Sequence, residues 1–458
     1  MKKRRPAREI GRGRIGAALG RFACVAVLWS GCSAAAAEPN YLFSLTPIAA
    51  PEGGATRAWA VNETGIVVGE VETAAGVVQA FIWSRDGGFR ALGTLGGLNS
   101  RALDITDRGL VVGESDTSNG TVRAFAWTET TGMRPLPVID QTVYSTAYAA
   151  NEKGQIVGGL EDHLGVHAAL WENGAVKLLP RLPGEGPVQP LDISRNGDVV
   201  GQIQTGSEEE IAGRAFYFPG AVSAKHLSDF RFISAFGGSA AVAINDRDTT
   251  AGYTMMDSSR VRAFRYQPGG GFTLLDDHDA LYSSARDLND HGDVVGSCIP
   301  SYLSDEVACV WFDDRWFDLN EVTDTGADWW LVQATGINRD RVITGYAQNG
   351  ETHRAFVLTP NEGMTPASWP ELDLDVRDIT DDHGRERSLI LSATMLRGVD
   401  VRRVLFYENG SVIGTVDTAP YEWGWQGRVE DEIEFYAEVI DATGRRLRSP
   451  RATIGPRE

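Results

Sequence analysis

The chain has 458 residues, 42% of them hydrophobic and 23% charged, with 52 Gly, 19 Pro and a formal net charge of −19. This is a globular composition, long enough for two or three ordinary domains, and its acidic balance excludes nucleic acid as an expected partner because like charges repel. Many turn residues and no long apolar stretch of helical period predict an all-β chain rich in hairpins.

Residues 1–21 carry eight Lys or Arg and one acid, Phe22–Trp29 form a short apolar core, and Ser33–Ala37 supply small residues for cleavage. That is the layout of an export signal at residues 1–37, too short to span a membrane. Cleavage after Ala37 is the simpler reading. The rival is a lipid anchor on Cys32 within Leu28-Trp29-Ser30-Gly31-Cys32, where Trp29 stands in place of the usual small aliphatic residue. Loss of eight bases and one acid moves the net charge to −26. The expectation is a secreted, periplasmic or cell-surface protein without a membrane span.

Tyr41–Thr46 reads as a strand standing alone, and beyond it one unit recurs seven times. A small residue, an apolar pair, a polar tight turn and a β-branched pair lead to Gly69, Gly113, Gly158, Gly201, Gly252, Gly296 and Gly345. Their spacings of 44, 45, 43, 51, 44 and 49 residues indicate one supersecondary unit stacked many times. In residues 100–140 the unit resolves into four strands: Ala102–Ile105, Leu110–Gly113, Val122–Trp127 and Met133–Val138. A four-stranded meander of this length is the blade of a β-propeller.

Ala58, Ala102, Ala147, Pro190, Ala241, Ala285 and Ala334 share one register of the first strand, where strands crowd toward an axis. The Phe and Trp of the third strand suit the outer region, where diverging sheets need volume. The last unit stops at Pro360 without a fourth strand, and pairing it with Tyr41–Thr46 would close the ring and cover its edge. A seven-bladed propeller is therefore expected over residues 41–360. Within its sixth unit, Cys298 and Cys309 flank one turn and read as a cross-strand disulfide, with two free buried thiols as the alternative.

The Arg-Ala-Phe strand, the Ile-Asn turn, Val-Val-Gly and Leu92-Gly93-Thr94-Leu95-Gly96-Gly97 resemble the HAF extracellular repeat family of bacterial exported proteins. The resemblance spans residues 41–360 and implies an exported, repeat-built β protein. It brings no catalytic motif. Residues 361–370, with two Pro and a Gly, read as a linker, and strands at Ser388–Ala393, Val401–Tyr407 and Ile433–Ile440 predict a β-sandwich over 371–455. That segment resembles bacterial Ig-like modules, which implies a spacer or presentation role and places Trp423 and Trp425 in its core.

Motifs for chemistry are missing: there is no Gly-x-Ser-x-Gly elbow, P-loop, dinucleotide fingerprint or helical His-Glu-x-x-His. His163 and His167 flank a hairpin loop, while Asp276–Asp279 and the acids of 373–382 read as solvated turns instead of metal loops. Asp104, Asp192 and Asp287 share a first-strand register; they either line the channel or, as we expect, bond turn amides of neighbouring blades. Tyr144, Phe236, Tyr282, Asp328, Trp329 and Trp330 fall in loops leading into the inner strand, at one mouth of the channel. Aromatic faces beside acids suit a sugar ring or a peptide.

The expected function is non-enzymatic binding of a glycan, a peptide or a cell-envelope protein at that mouth. No catalytic residue, metal or cofactor is assigned. The alternative is a polysaccharide lyase or hydrolase, which needs paired acid/base groups or a converging Tyr/His/Arg set that the sequence does not display.

Overall fold

Strands of alternating burial, punctuated by tight turns, build seven four-stranded antiparallel meanders in the computed structural model. The structure describes residues 41–456 apart from short stretches, the longest at 227–237 and 363–371. The expected export signal at 1–37, the Cys32 anchor and most of the linker lie outside the described residues. No described helix is long and apolar enough to cross a membrane.

The second meander shows the plan: Gly96–Ile105, Val111–Thr117, Val122–Thr128 and Gly132–Pro135 follow one another as neighbours. The seventh supplies only Trp330–Ile337, Ile343–Asn349 and Thr352–Pro360. Its fourth strand is Phe43–Ile48, from the start of the described chain, with Phe43 opposite Pro360 and Ile48 opposite Ala355.

In all seven meanders the first strand carries a β-bulge, as between Ala58 and Ala60 or Ala102 and Asp104, where the second strand offers its glycine. The bulge pushes a first-strand carbonyl into the space of a side chain. A Cβ on Gly113 would stand 1.9 Å from the Arg101 carbonyl oxygen, and the other six glycines face their carbonyls at 1.9–2.1 Å. The recurring glycine is thus a close-approach requirement.

Hydrophobic packing lies between successive meanders. Val68, Ala80, Leu92, Ala102 and Phe125 join the first to the second, and Ile48, Ala58, Phe81, Ala355 and Val357 join the seventh to the first. The third-strand aromatics Phe81, Phe125, Phe216, Phe264 and Phe356 are all fully buried, which gives them the packing role expected.

Three kinds of hydrogen bond reinforce these joints. Ser100, Ser145, Ser239 and Ser283 each accept at Oγ from the amide of the third-strand Ala in the preceding meander, at 2.9–3.0 Å. Thr56 does the same for Ala355, at 2.9 Å, and donates to the Ile48 carbonyl at 2.7 Å, stitching the last meander to the first. Turn asparagines add a second link: Asn62, Asn151, Asn245, Asn289 and Asn338 donate from Nδ2 to the next meander's turn carbonyl at 2.9–3.1 Å. Their Oδ1 atoms meanwhile accept amides of their own turns.

The third link is the carboxylate. Asp104, Asp192 and Asp287 each accept the amide of the following residue and one from the next meander, namely Ala150, Ile244 and Ile337, the latter three at 2.7–2.8 Å. Where Thr106 and Ser194 replace the turn asparagine, Asp104 and Asp192 supply the bridge. These acids therefore bond neighbouring turns, as the sequence led us to expect.

Cys298 and Cys309 form the disulfide, on adjacent strands with Cα atoms 6.1 Å apart. Residues 372–454 form a three-stranded and a five-stranded sheet. Trp425 packs edge-on against Phe435, 5.3 Å between centroids, and donates to Glu408 at 3.0 Å, and Trp423 lies over Gly414. One hydrophobic cluster runs through these sheets and the sixth and seventh meanders, including Leu319, Leu331, Leu358, Leu391, Phe406 and Phe435.

Candidate functional site

Residues from all seven meanders converge on one polar cavity of about 170 Å³, which marks an axis at the end where first strands turn into second strands. Its rim carries Glu63, Asp107, Glu152, Arg195, Asp246, Asp290 and Arg339, one from each turn. These groups satisfy one another. The Glu63, Asp107 and Arg339 amides donate to Asp107, Glu152 and Glu63 carboxylates at 2.6–3.0 Å. Arg195 pairs with Asp246 at 2.9 Å and Arg339 with Asp290 at 2.6 Å. This turn end is a structural girdle.

Desolvation dominates the three bridging acids just inside. Burial raises Asp104 from 3.8 to about 6 and Asp287 to about 7 against the pull of their amide donors. It also holds Asp192 well above its ordinary value, with repulsion from Asp104 and Asp287 adding to it.

The loop end of the axis has a different chemistry. Glu70 sits between Arg57, at 3.5 Å, and Arg101, at 2.9 Å, and Arg101 reaches on to Glu114 at 3.4 Å. The Tyr144 hydroxyl donates to Glu114, and burial followed by that carboxylate raises its pKa. Gln202 donates to Gln189 at 2.7 Å, and Gln189 donates to the Tyr148 hydroxyl at 3.2 Å. Tyr144, Tyr148, Gln189 and Gln204 help line a cavity of about 170 Å³, room for a single ring and not a drug-sized ligand.

On the other side of the seam, Arg57 lies over Tyr346, 5.8 Å from the ring centroid, and 3.4 Å from His353 Nδ1. Burial and the Arg57 charge hold the His353 pKa below its usual 6.5. Tyr253 and Tyr346 occupy the position after the meander glycine, where other meanders have Glu70, Glu114, Gly159, Gln202 and Ser297. Burial raises both phenols, and the Arg286 charge pulls against that rise in each. Arg286 itself is exposed, and it makes no hydrogen bond or ion pair among the described residues.

Four of the six site residues suggested by the sequence are described, each with its own partners. Tyr144 lines the single-ring cavity, and Tyr282 begins the first strand of the sixth meander, bridged to Val261. Trp329 is half-buried beneath the Arg354 guanidinium, at 4.9 Å, and packs on the cluster shared with the C-terminal sheets. Trp330 is 41% exposed and donates to the Glu306 carbonyl at 3.0 Å. Phe236 and Asp328 lie outside the described residues. His167 is engaged by Asp162 at 3.0 Å, Asp277 by Arg262 and Ser283, and no cluster of three metal-ligating side chains occurs among the described residues.

Tyr253, Arg286, Tyr346 and His353 lie within strands, where no loop motif marks them. The usable signal was alignment at the glycines, which isolates the residue after each Gly and the bulge residue after each first-strand Ala. No family model matches the chain, and no curated protein matches it. Among solved structures it is similar to a streptogramin B lyase, 9% identical over 70% of this chain and 100% of that one, TM-score 0.45. It is also similar to virginiamycin B lyase from Staphylococcus aureus (11%, 70% and 99%, TM-score 0.44) and TolB from Acinetobacter baumannii (10%, 69% and 65%, TM-score 0.38). Such likeness carries neither ligand nor chemistry to this chain.

Proposed function

We propose that this chain is an exported, non-enzymatic binding protein. Residues 41–360 form a seven-bladed propeller of HAF type closed by its N-terminal strand, 371–455 an Ig-like β-sandwich, and the loop end of the axis takes a glycan, peptide or envelope protein. The contrast between the two ends carries this reading. At the turn end each rim residue is committed to a neighbour, whereas the loop end presents half-buried tyrosines, glutamines and an arginine with no partner among the described residues. Amphipathic rings and neutral amides are the surface of a binding site. The disulfide fits an oxidising compartment.

Immobilised protein lacking residues 1–37 should retain members of a glycan and peptide panel unchanged. Tyr253→Ala/Tyr346→Ala should abolish retention while the fold, followed by circular dichroism, persists. Retention that survives this double substitution refutes the assignment to the loop end.

A second reading, an enzyme acting on polysaccharide, draws support from Arg57, Tyr346 and His353, the Tyr/His/Arg set that only the seam assembles. Its chemistry is weaker. Arg57 can only donate, so the neutral His353 accepts at Nδ1 and carries its proton on Nε2, leaving no free base on the ring. Glu70 and Glu114 are held by arginines. Release of reducing ends or unsaturated products from the same panel would establish the enzyme reading over the binding one.

A further inference from the structure

Arg286 is the bulge residue of the sixth meander, the position held elsewhere by Trp59, Leu103, Tyr148, Leu191, Val242 and Thr335. It alone among these seven bears a charge. Two other arginines of this end, Arg57 and Arg101, are neutralised by Glu70 and Glu114, but Arg286 is exposed and has no partner among the described residues. Tyrosines of three successive meanders belong to the same end. Tyr253 and Tyr346 follow the glycines of the fifth and seventh, Tyr282 opens the strand that carries Arg286, and the Arg286 charge is felt at both Tyr253 and Tyr346.

We infer that the loop end of the axis binds an acidic glycan, a uronate carboxylate meeting Arg286 and its sugar ring lying against Tyr253, Tyr282 and Tyr346. This presupposes the glycan form of the binding function above. A planar guanidinium matches a carboxylate with two parallel hydrogen bonds, and partial exclusion of water by the rings strengthens them. The flat C–H face of a pyranose packs on a phenol ring, and phenols that stay protonated both donate to and accept from sugar hydroxyls. In a chain of net charge −19, a cation with no partner among the described residues suits one carboxylate of the ligand at a time. A peptide carboxylate carries the same charge, yet the Gln202–Gln189–Tyr148 relay and single-ring cavity of the third and fourth meanders, at the same end, offer neutral amide and hydroxyl partners, the complement of sugar hydroxyls.

The test titrates full protein lacking residues 1–37 with oligogalacturonate, oligomannuronate and oligoguluronate, each beside its carboxyl-reduced neutral counterpart, and with acidic peptides. At least one uronate should bind, its neutral counterpart roughly tenfold or more weaker, the scale of one lost hydrogen bond to a charged group. Arg286→Gln should lose the same factor without a change in melting temperature, and Arg286→Lys should recover part of it. Equal binding of acidic and neutral chains, or unchanged uronate affinity in Arg286→Gln, overturns the uronate assignment and leaves glycan binding standing. Capture of acidic peptides with no glycan overturns it and keeps the broader binding function. Failure of every probe on the wider panel overturns both.

Discussion

Raising the pH from about 4.5 to about 7.5 should destabilise the circle of meanders through Asp104, Asp192 and Asp287. Each carboxyl has a folded-state pKa above the unfolded value of 3.8. Between the two values the folded chain keeps a proton that the unfolded chain has released, so stability falls as pH rises. A rise from 3.8 to about 6 is worth about 3 kcal/mol at Asp104, and one to about 7 is worth about 4 kcal/mol at Asp287. Each side chain keeps some exposed surface, so hydration trims these figures and their sum is an upper bound. Glu63, raised by burial, acts in the same sense. The lowered carboxyls Asp162, Glu172 and Asp417 act oppositely, but only below about pH 4.5, and His353 opposes the trend just below pH 6.5. Urea midpoints at four pH values read the slope. Asp287→Ala removes one titrating group and leaves the Leu288 and Ile337 amides without it, so it should be less stable at low pH yet show a flatter profile. A wild-type midpoint that is flat or rises with pH, or an Asp287→Ala slope equal to wild type, refutes the reasoning.

Gly113→Ala drives a Cβ into the Arg101 carbonyl and should cost more than about 4 kcal/mol, whereas Gly65→Ala, strained only in φ, should cost about 1 kcal/mol by the same urea assay. Thr56→Val leaves the Ala355 amide and the Ile48 carbonyl without their partner at the seam, an expected loss of about 1–3 kcal/mol. Accelerated hydrogen exchange of Phe43–Ile48 should accompany it. Trp329→Ala should lower the melting temperature by removing a ring packed beneath Arg354, and Trp330→Ala, at an exposed side chain, should leave the unfolding free energy within about 0.5 kcal/mol of wild type.

Local signals within one unit were legible in the chain itself. The Gly period announced the meanders, since a bulge in one strand demands a missing Cβ in the next, and the Asn turns are bounded by their own Oδ1 bonds. The bond between Cys298 and Cys309 was likewise visible, because both lie in adjacent strands of one hairpin. The strand before the first unit and the truncated seventh unit together foretold the seam. The Ser-x-Ala and Thr-x-Ala pairs at 56/58, 100/102, 145/147, 239/241 and 283/285 were visible too. Their purpose was not, because the amide each hydroxyl accepts belongs to another unit.

Tertiary structure decided what faces what. Arg57 and His353 are 296 residues apart and meet only because the seventh meander packs against the first. Arg286 reads as an ordinary surface cation until the pairing register places it at the bulge of its strand, the one charged residue among the seven bulge positions. Strand periodicity assigns a side chain to one face of its own sheet, but which sheet it confronts is set by closure, a property of the whole circle that no single repeat encodes.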